Sequence, residues 1–146
     1  MFSIDTINTI LFASITVLLI IACYMDIKER NVSNKITLLI LVFSIPLIYL
    51  NLHNIGFFHF AYLGAFYWGY TCRGLGGADL KAMFPLIFAV PNVMVFVFSV
   101  GIIGVLYIIS DYLRNTDNLY KEITWDQVSI PFFIPILIGF QIAIWS

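Results

Sequence analysis

The sequence predicts an all-α integral membrane protein with six transmembrane helices, helix 4 short and both termini extracytoplasmic. Three observations lead there. First, 62% of the 146 residues are apolar or aromatic and 10% are charged, with a mean hydropathy of +1.00. Soluble domains run at roughly 45–50% apolar and about 25% charged, and a globule of this size has too much surface to hide the excess. Second, the apolar residues form long continuous runs, not the alternation of a membrane barrel. Third, the seven Lys and Arg residues gather in three places.

The elements follow in chain order. The first run is Ile7 to Met25, softened only by Ser14 and Thr16. It has no basic segment before it and no small-residue cleavage site after it, so it reads as a retained helix. The second is Ile36 to Leu52, interrupted by Pro46. The third, Phe57 to Cys72, is aromatic-rich and carries Ala61, Ala65 and Gly69 four residues apart, a spacing that lets another helix approach closely in lipid. The stretch from Leu80 to Leu113 would measure roughly 50 Å as one helix, too long for a hydrocarbon core of about 30 Å. Pro91-Asn92 splits it into a short helix 80–90 and a full-length helix 93–111. The last run is Val128 to Trp145.

Charge placement sets the topology. Lys28, Arg30 and Lys35, then Arg73 and Lys81, then Arg114 and Lys121 fall in connections 1, 3 and 5 if the short helix counts as a crossing. The positive-inside rule puts those connections in the cytoplasm and both termini outside. No repeat or linker divides residues 1–146, which read as one membrane-embedded domain. A net charge of −1 argues against a nucleic-acid binder. Two cysteines make neither a disulfide framework nor a four-ligand zinc site, and the residues call for no metal or cofactor. Cys23, and Cys72 likewise, read as small apolar packing residues near a reducing compartment. His53 and His59 read as interfacial residues of the outer connection. Gly101 and Gly104 read as packing glycines.

Two polar junctions stand out. One reads Asp26-Ile27-Lys28-Glu29-Arg30-Asn31-Val32-Ser33-Asn34; the other reads Gly76-Gly77-Ala78-Asp79-Leu80-Lys81. The topology puts Asp26, at the inner end of helix 1, and Asp79, at the inner start of helix 4, at one depth on one face. Ionisable groups at a membrane boundary are costly and point to function. Each also has a plain reading: Asp79 as a helix N-cap, and Asp26 as a solvated charge paired with Lys28 or Arg30. Brought together, two carboxyls share one proton, and one can take a proton from water while the other protonates a carbonyl oxygen. Helix ends alone bias the pair in opposite directions, steadying ionised Asp79 and favouring protonated Asp26.

Asp-x-Lys-x-Arg-x-Val-Ser-Asn after a first helix, followed by Gly-x-x-Asp-x-Lys opening a short later helix, resembles the type IV prepilin peptidases and archaeal preflagellin peptidases, intramembrane aspartic proteases of the Gly-x-Gly-Asp type. The helix count and the Val-x-x-Pro-Phe opening of helix 6, Val128 to Phe132, extend the resemblance over most of the chain. It implies that Asp26 and Asp79 are the catalytic pair. It implies a substrate as well: the leader of pilin-like or archaellin-like precursors, cut at the cytoplasmic face of the cell membrane. Gly76 and Gly77 would shape the turn, Lys81 would orient the leader or tune the pair, and Lys28 and Arg30 belong to the first motif. Ala78 stands where the family pattern has its second Gly, and Ala restricts φ > 0. The paired Cys-x-x-Cys motifs of the larger, methylating enzymes are missing from this sequence.

Two other classes compete with a peptidase. A small proton- or ion-coupled transporter also places acids in helices, but prefers them at mid-membrane within pseudo-symmetric halves. A catalytically inactive homologue would share the whole pattern. Serine and metal protease types fit less well, because both histidines fall on the outer side and His-Glu-x-x-His does not occur.

Overall fold

Each apolar run becomes a helix because only a helix satisfies every backbone group within its own segment when no water is near. A computed structural model describes residues 4–29, 32–71, 77–115 and 131–146. Among these, six α-helices appear: α1 (Ile4–Glu29), α2 (Asn34–Leu50), α3 (Phe57–Thr71), α4 (Gly77–Ala89), α5 (Val93–Asn115) and α6 (Phe133–Trp145), with a 3₁₀ turn at Leu52–Asn54 after α2. Two of them, α1 and α5, contain spans long and apolar enough to cross a bilayer unaided.

The local signals explain most boundaries. Ser33 caps α2, its hydroxyl accepting the Lys35 N–H at 3.3 Å and its carbonyl accepting the Ile36 N–H at 3.0 Å. Asn92 caps α5 in the same way, its side chain taking the Val95 N–H and its carbonyl the Phe96 N–H. The expected break at Pro91-Asn92 is therefore a capped helix start. Pro46 does not interrupt α2, and Pro85 lies inside α4; a helix among helices keeps such a residue because its neighbours compensate the missing bond. Several ends differ from the sequence expectation. The first helix starts at Ile4 and continues past Asp26 to Glu29, and α2 is shifted two residues earlier. Helix α4 starts at Gly77, three residues before Leu80, and α5 runs four residues past 111 to Asn115.

A few contacts fix the direction of every helix. Lys81, near the start of α4, bonds Asn34 at the start of α2, while Asn51 just beyond α2 donates to the carbonyl of Ala89 at the end of α4. Those two helices are parallel and in register. Thr16 of α1 meets Gln141 of α6, and Asp26 meets Phe133, so α1 and α6 are antiparallel. Gly139 lies against Val100 and Gly104 against Phe132, which makes α5 and α6 antiparallel. Tyr70 approaches Gly77, and His59 stacks on Phe88, so α3 and α4 are antiparallel. Successive helices thus alternate in direction, and α1 begins at the same end of the bundle at which α6 finishes.

The short α4 lies inside this bundle. It packs on α2, α3, α5 and α6, and Ala82, Met83 and Pro85 through Ala89 are all buried. A helix apolar around its whole circumference suits an interior position. The bundle exterior is equally apolar: Phe57 is 80% exposed, Tyr49 74%, Trp68 71% and Trp145 85%. Such a surface matches lipid and not water.

Three packing expectations are corrected. Ala61 and Ala65 are exposed, and α3 meets the core instead through Tyr62, Leu63 and Phe66, whose larger side chains bury more apolar area. His59 is no interfacial residue: it is buried, stacks on Phe88 at 5.8 Å, and accepts the Gly56 N–H at Nδ1. Gly101 has nothing within 4 Å of where a Cβ would sit, whereas Gly104 faces Phe132. Cys23 is buried as expected; Cys72 lies outside the described residues.

The tightest glycine is Gly139, which the sequence did not single out. A Cβ there would stand 2.6 Å from Val100 Cγ2, 3.2 Å from Val100 N and 3.3 Å from Phe96 O. Gly139→Ala therefore forces α5 and α6 apart and is expected to destabilise the bundle by about 1–3 kcal/mol. Gly101→Ala, in open space on an exposed helix, should be neutral or stabilising by up to about 1 kcal/mol. Thermal melting of both variants in one detergent checks the pair; equal melting temperatures contradict the close approach.

Candidate active site

The first motif is built around a helix cap. Val32 is 5% exposed and belongs to the apolar core, which anchors the connection between α1 and α2. Ser33 then opens α2, and Thr37 Oγ1 bonds the Asn34 carbonyl at 3.0 Å. These steps leave the Asn34 side chain facing Lys81, whose Nζ donates to Oδ1 at 2.9 Å. The two sequence junctions, 47 residues apart at this contact, thereby meet.

Asp26 is half-buried in the last two turns of α1. Its Oδ2 accepts the backbone N–H of Phe133 at 3.3 Å. That amide begins α6, where the first N–H groups have no partner inside the helix and the dipole attracts an anion. The opposed pull of the α1 carboxyl end is thus met by the amino end of a second helix. Lys28 does not pair with Asp26; its ammonium lies over the Tyr24 ring, 5.8 Å from the centroid. Arg30, the other partner considered, lies outside the described residues.

Asp79 sits in the first turn of α4, half-buried, as the third helical residue. It is inside the helix and not its N-cap, and the dipole still favours an anion there. Among the described residues, Tyr70 Cε2 lies 3.7 Å from where a Cβ on Gly77 would sit, an ordinary van der Waals contact. Ala78 is helical and packs against the core; a position of that kind needs no left-handed backbone, and Ala is the best helix former. Gly76 lies outside the described residues, as does Val128.

The start of α4, the start of α2, the start of α6 and the last turns of α1 therefore occupy one end of the bundle. Among the described residues, α1 and α4 make no direct backbone contact; α2 and α6 each touch both. An open cavity of about 540 Å³ adjoins this end, between α2 and α4, with Leu80 and Lys81 in its wall. No group of three His, Cys, Asp or Glu side chains suited to a metal comes together among the described residues. Sequence reading missed Asn34 as the partner of Lys81 and Phe133 as the partner of Asp26. The Ser-Asn pair was a visible signal for the first, but a backbone donor carries none for the second.

The Asp26 contact has a direct readout. A hydrogen bond to a charged group contributes about 1.5–3 kcal/mol, so Asp26→Ala should speed hydrogen exchange at the Phe133 amide by roughly 10- to 100-fold. Exchange unchanged at Phe133 in the variant contradicts the contact.

The chain was compared with known proteins. No curated protein and no solved structure matches it. The sequence model of the type IV leader peptidase family matches residues 13–109, a span holding both aspartate junctions and five of the six helices in whole or in part. The chain belongs to the type IV leader peptidase family.

Proposed function

We propose that the protein is an aspartic endopeptidase that removes the leader from type IV prepilin-like or preflagellin-like (archaellin) precursors, using Asp26 and Asp79 at the cytoplasmic face of the cell membrane. The observation that carries this reading is the family match across both aspartate junctions, joined to a bundle in which the carboxyl end of α1 and the amino end of α4 lie at the same end. The basic residues Lys28, Lys35 and Lys81 belong to that end too, and the positive-inside rule assigns such an end to the cytoplasm. All six helices then cross the membrane, with α4 largely buried among its neighbours and Phe84 exposed on its outer side.

In this mechanism the pair holds one proton. The ionised carboxylate accepts a proton from water as the water oxygen attacks the scissile carbonyl carbon. The protonated carboxyl gives its proton to the carbonyl oxygen. The tetrahedral intermediate then collapses: its C–N bond breaks, the leaving amine takes up the proton gained from water, and a hydroxyl of the intermediate returns its proton to the other carboxylate as C=O re-forms, leaving the pair with one proton again. Ionisation constants of this step belong to the pair and not to either residue. In this reading the two carboxyls, carried by α1 and α4, act on one water. Lys81, which bonds Asn34, orients the leader or tunes the pair in this reading.

Separate Asp26→Asn and Asp79→Asn variants keep size and helix content while removing one member of the pair. Each is expected to lose at least the roughly 10²–10⁴-fold that acid–base groups contribute, read as leader removal from a purified precursor in detergent. Cleavage within a few-fold of wild type by either variant contradicts the mechanism. Loss in both, with unchanged melting temperatures, supports it.

A further inference from the structure

From the groove between α2 and α4 we infer that the protein carries a binding site for an anionic phospholipid, with the phosphate on Lys81 and one acyl chain between the two helices. Leu38 and Leu41 of α2 and Leu80 and Phe84 of α4 wall the cavity of about 540 Å³, and Asn34, Thr37 and Lys81 supply its polar lining. The polar groups sit at the helix starts, with Leu38, Leu41 and Phe84 below them. From Asn34 to Leu41 the groove descends about 10 Å along α2. It opens sideways: Leu38 is 58% exposed and Phe84 47%.

The chemistry of the groove selects the occupant. An extended peptide would carry unpaired N–H and C=O groups down an apolar wall, which costs several kcal/mol for each in lipid. Thr37 offers such a peptide an acceptor only, because its hydroxyl proton is already given to the Asn34 carbonyl. An acyl chain has no such groups. At the mouth, Lys81 donates to the neutral Asn34 side chain, its partner among the described residues. An ammonium has three donors, so donors remain for phosphate oxygens, and exposed Lys35 adjoins Asn34 in sequence. Basic side chains at a membrane face attract anionic headgroups; here a groove for the attached hydrocarbon lies directly beneath one.

Native mass spectrometry of the full chain in detergent tests this without any cleavage assay, so its failure is separable from failure of the peptidase reading. The probes are phosphatidylglycerol and phosphatidylcholine with identical acyl chains, with soluble glycerol phosphate as competitor. Wild type is expected to retain phosphatidylglycerol about fivefold over phosphatidylcholine, the scale of one lysine near an anionic surface. Lys81→Gln and Leu41→Trp should each abolish that preference, and Lys35→Gln should leave most of it. Leu38→Trp, at an exposed position, fills the same groove should Leu41→Trp fail to fold. Equal retention of the two lipids overturns the site. So does a preference that survives filling of the groove, or displacement by glycerol phosphate, which would mean a phosphate site with no lipid requirement. Capture of a second copy or of a precursor peptide in place of lipid, by a photoreactive residue at position 38, overturns it as well.

Discussion

Inside a bilayer the hydrophobic effect cannot tell one helix register from another, since lipid tails are as apolar as leucine; close packing and a few polar bonds have to do so. Here those bonds are placed at the helix ends. Lys81 to Asn34 pins the amino ends of α4 and α2, and Asn51 to the Ala89 carbonyl pins their other ends. Asp26 to the Phe133 amide joins α1 to α6, with Gln141 and Thr16 bonded farther along the same pair. Such interhelical bonds contribute only about 0.6–2 kcal/mol each, but each has one geometry, and together they bring four helix ends to one place.

The position of α4 follows from the same constraint. With 13 residues it spans about 20 Å, short of the roughly 30 Å hydrocarbon core. Packed on α2, α3, α5 and α6, it needs no lipid match of its own. Its amino end is held level with that of α2 by the Lys81–Asn34 bond. Asp79 in its first turn and Lys81 one residue beyond Leu80 both occupy that end, one as a carboxyl and the other as a cation held by Asn34.

Much of this was legible from residue order. The five apolar runs and the break at Pro91-Asn92 are local patterns, and among the described residues they give the six helices. Helix limits were less legible. The expected end at Asp26 rested on charge, but an exposed Lys28 and Glu29 continue the helix at no cost. The small-residue row on α3 was misread because spacing alone does not say which face a helix turns inward, and Tyr62, Leu63 and Phe66 had more area to bury. His59 looked interfacial by position, yet its ring found Phe88 and its Nδ1 found the Gly56 amide. Gly139 and the Phe133 amide were silent because their roles depend on partners distant in sequence.

The account stands on Asp26 and Asp79 sharing one wet recess. Cysteines at positions 26 and 79, in a chain with Cys23 and Cys72 changed to serine, and a short bifunctional thiol reagent applied in intact membranes with precursor present, measure that directly. A pair at positions 34 and 81, already bonded through their native side chains, calibrates the reagent. The account predicts an intramolecular bridge for 26 with 79 at a yield comparable to the calibrating pair. Efficient bridging of 34 with 81 but none of 26 with 79 would contradict it.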